Sequence, residues 1–270
     1  MVRVSVLGAG GRMGREVIRA LIASENFTLA GALARHGSEI IGQDAGKLVG
    51  LPDCSVAVGD DLAVVLATAN VAIDFTLPEA TIFNISGCEA AGCALVIGTT
   101  GHEQSAQQAL YEHSWKVPAV LAPNMSIGVN LLYGLAAVAA RMLENYDAEI
   151  VETHHRFKKD APSGTALRLG EAVATARGQE FGSVARLGRA PGDEPRSKNE
   201  IGVSAVRAGD VVGEHTLLLA GDGESLELRH VARDRASFAG GALKAAAWVC
   251  GRQPALYGMR DVLGLGEGLT

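Results

Sequence analysis

The sequence predicts an α/β chain of two domains: an N-terminal doubly wound, Rossmann-like parallel sheet, and a second α+β domain with a mixed or antiparallel sheet. Three observations carry this. The first half alternates short β-branched runs with helical patterns, the grammar of right-handed crossovers between parallel strands. From about Ser126 the grammar changes to a long helical pattern followed by strand runs with few helices between them. The length of 270 residues leaves room for two separate cores. We place the first domain at 1–125, completed by C-terminal helices within 237–270, and the second at 126–236.

Taken in order, RVSVLGA reads as a strand, GREVIRALIAS as a helix and FTLAGALAR as a second strand. After an irregular insert, VAIDFT, ALVIGTT and PAVLAPN supply further strands, and DLAVVLATA, PEATIFNISGCEAAG and EQSAQQALYEHSWK supply crossover helices. The segment APNMSIG joins the domains and reads as a hinge. Beyond it lie a long helix, NLLYGLAAVAARMLENY, the strand EIVETHH, and a helix SGTALRLGEAVATARG that should stop at Gly178. The Gly/Pro/Arg-rich stretch GRAPGDEPRSKNE reads as a mobile loop. Three runs, IGVSAVRAGD, VVGEHTLLLAGDGE and SLELRHVARDR, read as an antiparallel meander turned at RAGD and GDGE. The last segment, ALKAAAWVCGRQPALYGMRDVL, reads as helix able to pack back on the first domain.

Composition narrows the function. An apolar share of 48% with only 4% aromatics and 34 glycines suits a tightly packed α/β protein. No run of about 18 apolar residues offers a membrane span, and the opening MVRVSVLGAG reads as strand and turn rather than a signal region. A cytoplasmic location is therefore expected. Cys54, Cys88, Cys93 and Cys250 are scattered without metal-ligand spacing, so neither a disulfide framework nor a metal site is expected, and they read as small buried apolar residues. A formal net charge of -6 gives no general attraction to nucleic acid or anionic lipid. Any anionic ligand must be held by a local cluster.

Two stretches could do so. In GAGGRMGRE, Gly8, Gly11 and Gly14 stand directly between a strand and a helix. Glycines there let the backbone approach a pyrophosphate, and the helix that follows aims free N–H groups at it. The acidic residue that usually ends the second strand and bonds the ribose hydroxyls is absent: Ala34 stands there, followed by Arg35. With Arg12 nearby, Arg35 suits a 2′-phosphate, which predicts NADPH over NADH; alternatively Arg35 stacks on the adenine of either cofactor. The second stretch is HHRFKKDAPSGTA, His154 to Ala166. Ser163 is a favoured N-cap, and Gly164 and Thr165 present backbone N–H groups beside Lys158 and His155. This makes a pocket for a carboxylate, each charged hydrogen bond being worth about 1.5–3 kcal/mol. Either histidine can exchange a proton near neutrality. Asp160 either orients a lysine or caps the loop.

The segments GAGGRMGR, DFTLPEAT, VIGTTG, APNMSIGVN, ETHHRFKKDAPSGTA, VRAGDVVGEHT and MRDVL occur in order over essentially the whole chain. Together they resemble the 4-hydroxy-tetrahydrodipicolinate reductase (dihydrodipicolinate reductase) family of lysine and diaminopimelate synthesis. The HHRxKxDAPSGTA motif is highly specific, whereas the glycine turn is shared by many dehydrogenases. The resemblance implies hydride transfer from a nicotinamide nucleotide to a cyclic imine dicarboxylate. It implies His154 as proton donor or acceptor and Lys158 as a second proton donor. It also implies substrate contacts from His155, Thr100 and the backbone of Gly164 and Thr165. The cofactor is expected along Gly8, Ala9, Gly10, Gly11, Arg12 and Met13, beside Arg35, and against Gly98, Thr99, Thr100, Ala122, Pro123, Asn124 and Met125. Family members with dual cofactor use keep an acid where this chain has Ala34, so NADPH is the expected cofactor, with NADH possible. A homotetramer assembled through the sheet of the second domain is also implied. A dehydrogenase for another substrate or a dinucleotide sensor would share the glycine turn but not the basic motif.

Overall fold

The computed structural model describes residues 1–265. The last part of the segment 237–270 assigned to the first domain therefore lies outside the described residues. In chain order the first elements are β1 (Val2–Leu7), α1 (Arg12–Ile22), β2 (Phe27–Leu33), α2 (Ala45–Leu48), β3 (Val58–Gly59), α3 (Leu62–Leu66), β4 (Val71–Asp74), α4 (Thr81–Ala91), β5 (Ala94–Ile97), α5 (Gln104–Glu112) and β6 (Ala119–Leu121). Then follow α6 (Ile127–Met142), β7 (Asp147–His154), α7 (Gly164–Ala176), α8 (Phe181–Val184), β8 (Ala185–Leu187), β9 (Ile201–Arg207), β10 (Gly213–Gly221) and β11 (Glu224–Ala232). The chain closes with α9 (Ala236–Val249), β12 (Leu256–Tyr257) and α10 (Met259–Leu263). These residues form two compact units, one made of Met1–Ile127 with Arg235–Gly264, the other built on Gly128–Asp234.

The first unit is a seven-stranded sheet in the order β12-β6-β5-β4-β1-β2-β3, parallel at every pairing. The sheet is covered on both faces, and the alternation along its strands says which residue faces which helix. Val4 and Val6, Val71 and Ile73, and Val96 join Val17, Ile18 and Leu21 of α1 and the alanines of α9 in one core. Leu7, Ala72, Leu95 and Ile97 join Leu62, Leu66 and Ile85 from α3 and α4 in the other. Such two-faced burial is what makes parallel strands read as near-continuous apolar runs.

The C-terminal segment differs from its reading as plain helix: Leu256–Tyr257 is the edge strand β12, pairing in parallel with β6. Two residues are too short to announce themselves as a strand, and tertiary pairing alone makes them one. Likewise, Cys88 and Cys93 are buried, whereas Cys54 and Cys250 pack against the core but are only partly covered, Cys54 lying in the irregular segment between α2 and β3 and Cys250 at the C-terminal end of α9.

The second unit corrects the expected meander. Its sheet runs β11-β10-β7-β9-β8, so β9 and β10 are not neighbours. β7 lies between them, antiparallel to β10 and parallel to β9. The RAGD segment is therefore a step across β7 rather than a hairpin turn. The few residues between β9 and β10 easily span the roughly 10 Å of two strand spacings. Only β10 and β11 form the expected hairpin. One face of this sheet, with Ala148, Ile150, Val203, Leu217 and Leu219, packs on Leu132, Ala136 and Ala140 of α6 and on Ala166, Leu169 and Val173 of α7. The Gly/Pro/Arg-rich stretch is irregular but held down. Arg196 donates to Glu149 Oε1 at 3.1 Å and to the Ala148 carbonyl at 2.9 Å, and Arg189 bridges Glu149 and Glu200.

Helix α9 packs against α1 and the sheet through small residues, and Gly241 is its closest approach: a Cβ there would lie 1.7 Å from the Met125 carbonyl oxygen. The next-door Gly240 is exposed with open space around it. Overpacking of a dense core costs about 1–3 kcal/mol or more. Gly241→Ala should therefore lower the midpoint of thermal unfolding by several degrees, while Gly240→Ala should leave it unchanged or slightly raised. Unfolding followed by circular dichroism would distinguish the two.

Candidate active site

The glycine turn is built by two close approaches. Gly8 has a φ of +87°, and a Cβ on it would press on the Phe75 carbonyl oxygen at 2.9 Å; a Cβ on Gly14 would lie 2.1 Å from the Gly8 carbonyl oxygen. Gly8 and Ala9 N–H groups donate to the Leu33 carbonyl at 3.0 and 2.8 Å, tying the turn to the end of β2. Helix α1 begins at Gly11 without a side-chain cap and with no acidic residue in its first turn. An uncapped helix start free of carboxylates is suited to an anion. Gly10, Gly11 and Arg12 are exposed, Met13 half-buried. Ala34 is buried and donates its N–H to the Gly59 carbonyl, and exposed Arg35 follows directly.

The remaining expected cofactor residues lie along the same carboxyl edge. Gly98 continues β5, donating to the Asp74 carbonyl at 2.9 Å, and Ala122 continues β6, donating to the Ile97 carbonyl at 3.1 Å. Gly98 is packed against the Phe75 ring. Thr99 is buried and Thr100 exposed. Asn124 Oδ1 accepts the Ser126 N–H at 2.9 Å, Pro123 is exposed and Met125 buried in the core. Asp74, fully buried, accepts hydrogen bonds from Thr76 N–H at 2.7 Å and Asn84 Nδ2 at 2.9 Å, and so shapes the loop after β4. In open parallel sheets this edge is where ligands bind.

The second cluster sits at the end of β7. His154 Nδ1 is hydrogen-bonded to Glu152 Oε2. Glu152 has no exposed surface. Its Oε1 also accepts the Ser163 N–H at 3.0 Å and Arg207 Nη2 at 2.9 Å, and its Oε2 accepts Arg207 Nη1 at 3.0 Å. Burial alone would raise the Glu152 pKa, but the Arg207 and His154 hydrogen bonds outweigh it and hold the carboxyl below the usual range. Burial pushes His154 down, partly opposed by Glu152, so its imidazole rests neutral. His215, edge-on to His154 with ring centroids 5.1 Å apart, bonds Ser163 Oγ through Nε2 at 3.1 Å. Burial, with His154 close by, drives His215 down to about 3.

Ser163 caps α7 as expected, its Oγ accepting the Ala166 N–H at 3.2 Å. Gly164 is exposed and Thr165 half-buried at the helix start. The Ala161–Pro162 peptide before them is cis. Lys158 Nζ donates to Asp160 Oδ1 at 2.8 Å, and Asp160 is held low by that bond against the opposing effect of burial. Asp160 thus orients the lysine. His155 is half-buried, with a sequestered Nδ1 that has no partner among the described residues. This unit therefore brings His154, His155, Lys158, Gly164 and Thr165 to one end of one strand and one helix. Thr100 belongs to the first unit.

Sequence reasoning missed Glu152, Arg207 and His215. For Glu152 a signal was available: residues two apart on a strand share a face, so ETH already places Glu152 beside His154. Arg207 needed the topology, since only the parallel register of β7 and β9 sets it opposite His154. His215 likewise depends on β10 lying next to β7, opposite Glu152.

A chain that builds a pyrophosphate-type glycine turn on a doubly wound sheet and, in a second unit, a buried histidine–carboxylate cluster fits an oxidoreductase of the pyridine-nucleotide class. Comparison with known proteins narrows this. Residues 2–125 match the family model described as dihydrodipicolinate reductase, N-terminus, and residues 128–263 match dihydrodipicolinate reductase, C-terminus. The chain is 51% identical over 265 residues to the 4-hydroxy-tetrahydrodipicolinate reductase of Thiobacillus denitrificans, covering 98% of this chain and 99% of the relative. It is 50% identical over 264 residues to that of Alkalilimnicola ehrlichii, covering 97% and 99%. The solved structure of dipicolinate-bound dihydrodipicolinate reductase from Paenisporosarcina sp. TG-14 superposes with a TM-score of 0.76 at 27% identity, covering 97% of this chain and 98% of the other. The chain belongs to the dihydrodipicolinate reductase family. Its reaction is the reduction of 4-hydroxy-tetrahydrodipicolinate, a step of lysine and diaminopimelate biosynthesis. Among the described residues no helix is long and apolar enough to cross a membrane, and no His/Cys/Asp/Glu group is placed to hold a metal ion.

The buried histidines give a pH dependence of stability with a definite sign. His154, His215 and His230 all have folded-state pKa values lowered by burial, so the unfolded chain binds more protons once pH drops below about 6.5. Stability should be intact above that value and fall as pH decreases from about 6.5 to 5, before carboxylates titrate. The slope for His215 alone approaches about 1.4 kcal/mol per pH unit. Urea unfolding between pH 5 and 7.5 measures this, and His215→Gln should flatten the curve.

Proposed function

We propose that His154 and Lys158 manage the protons of this reduction, with NADPH as the preferred reductant. The observation that carries the reading is the pairing of a buried, carboxylate-held His154 with a lysine and an N-capped helix start in one small region. Gly164 and Thr165 would hold one carboxylate of the dianionic substrate through their backbone N–H groups, with His155 and Thr100 as further contacts. The dipicolinate carried by the Paenisporosarcina relative is a dicarboxylate of this kind. Residues 126–236 are then the substrate-binding domain.

The glycine turn fits a dinucleotide pyrophosphate, since Gly8 and Gly14 leave no room for side chains and α1 starts uncapped. Gly8 to Met13 would hold that group, with Gly98 to Thr100 and Ala122 to Met125 flanking it, making 1–125 with the C-terminal segment the cofactor domain. The bound nicotinamide supplies the hydride. Lys158, a cation held by Asp160, stabilises charge building on the substrate and delivers a proton. His154 exchanges protons through Nε2, its Nδ1 being occupied by Glu152. Arg35, exposed after the buried Ala34 and accompanied by Arg12, favours a cofactor carrying a 2′-phosphate.

We read the protein further as a cytosolic homotetramer. The face of the second sheet opposite α6 and α7 exposes Val151, Val206 and Val231, set among Thr153, Glu214 and Thr216, a mixed apolar and polar surface on which a second sheet could pack.

The test follows nicotinamide absorbance with substrate generated in place from pyruvate and aspartate semialdehyde by the synthase that condenses them. NADPH should be consumed well ahead of NADH, and Arg35→Ala should narrow the gap by about 10–100-fold, the worth of one charged hydrogen bond. Lys158→Ala or His154→Ala should lower kcat by about 10²–10⁴ with cofactor affinity unchanged. Equal rates with both cofactors would remove the role given to Arg35, and a collapse of cofactor binding in the Lys158 variant would overturn the division of tasks between the domains.

A further inference from the structure

We infer that Glu152 is the positioning residue of the site: its single buried carboxylate fixes His154 in the Nδ1–H form, leaves Nε2 open for proton exchange, and anchors the start of α7. The inference deepens the proton role given to His154 and rests on it.

Four hydrogen bonds reach the two oxygens of Glu152: Ser163 N–H and Arg207 Nη2 at Oε1, Arg207 Nη1 and His154 Nδ1 at Oε2. A carboxylate gripped on both oxygens by one guanidinium is ionised, and an ionised carboxylate only accepts. The proton between Glu152 and His154 therefore belongs to Nδ1. A neutral imidazole carries one N–H, so Nε2 is left with its lone pair. This is the logic by which a buried acid sets tautomer and orientation for a catalytic histidine. The same carboxylate takes the N–H of Ser163, the cap of α7. One group thus sets the distance between the proton-exchanging ring and the helix start that would receive the substrate carboxylate.

Every charged or titratable neighbour of His154 is consistent with this assignment. On its own strand lies Glu152; on β9 lies Arg207, paired with it in register; on β10 lies His215, with His230 beyond it on β11. The following loop supplies His155, Lys158 and Asp160. His215 does not compete for Glu152, because its Nε2 is engaged by Ser163 Oγ. Lys158 is engaged by Asp160. A second, independent observation concerns Nε2: a Cβ on Gly213 would stand 3.0 Å from it. Gly213 has no left-handed φ requiring glycine. Its missing side chain leaves the open nitrogen uncovered.

The decisive measurement uses the intact wild-type protein labelled with 15N-histidine. Long-range proton–nitrogen spectra at pH 7.5 should show His154 as the Nδ1–H tautomer; a dominant Nε2–H form would overturn the inference. Glu152→Gln should lower kcat by about 10–10³-fold, with substrate KM and NADPH affinity within about 3-fold. It should also move the acidic limb of the pH–rate profile to lower pH, because the imidazolium loses its carboxylate. Glu152→Asp should restore part of the rate and the profile. Gly213→Ala should cut kcat while the Nδ1–H signal persists. A folded Glu152→Gln enzyme with wild-type kcat and pH profile would overturn the inference, and if that variant does not fold, the wild-type tautomer still decides. Unchanged turnover in His154→Ala would instead overturn the proton role of His154, a different failure, recognisable because the wild-type spectrum would still show Nδ1–H.

Discussion

A carboxylate sealed from water must have its charge answered where it lies, since leaving it unpaired costs several kcal/mol. In this chain that requirement falls on Glu152, and much of the second unit is arranged around it. Arg207 can grip both carboxylate oxygens only if β9 runs parallel beside β7 in the observed register. His215 can stand over His154 only if β10 flanks β7 on the other side. β7 is thereby the central strand, and the placement of its neighbours answers to electrostatics as much as to apolar burial. Helix α7 is drawn into the same arrangement by the Ser163 N–H.

The cluster also revises how the basic run HHRFKKDAPSGTA is understood. By composition it is a cation patch in an acidic chain, yet part of the charge is answered before any ligand arrives: Lys158 is paired with Asp160 inside the run, and Arg207, brought alongside by β9, is paired with Glu152. His154 and His215 are held neutral by burial. On the reading proposed above, a dianion entering such a site would meet oriented donors and paired cations. That arrangement favours geometry over simple attraction, because oriented dipoles and paired cations need little reorganisation when charge develops.

Much of the first unit was legible because its physics is local. Gly8 and Gly14 announce a tight turn, and two-faced burial turns β1, β4 and β5 into apolar runs that pattern reading finds. The Ser163 cap was equally readable from DAPSGTA. What escaped has a common cause in sequence distance. β12 is two residues whose strand identity comes from β6. The step across β7 looked like a hairpin because RAGD has turn chemistry whichever strand follows. Arg207 and His215 carry no local mark of their partnership with residues more than fifty positions away. Glu152 alone could have been found, since two-residue spacing on a strand is enough to set it beside His154.

The first unit is also interrupted in sequence: Arg235–Gly264 completes what Met1–Ile127 begins, while Gly128–Asp234 is continuous. During synthesis, therefore, Val4, Val6, Ile73 and Val96 leave the ribosome long before the alanines of α9 that cover them. At about 5–20 residues per second that wait is on the order of ten seconds. The inserted unit holds all its own strands and can close first. The continuous unit can thus close before the unit that begins the chain, and the N-terminal sheet is the stretch whose apolar face waits longest for its cover.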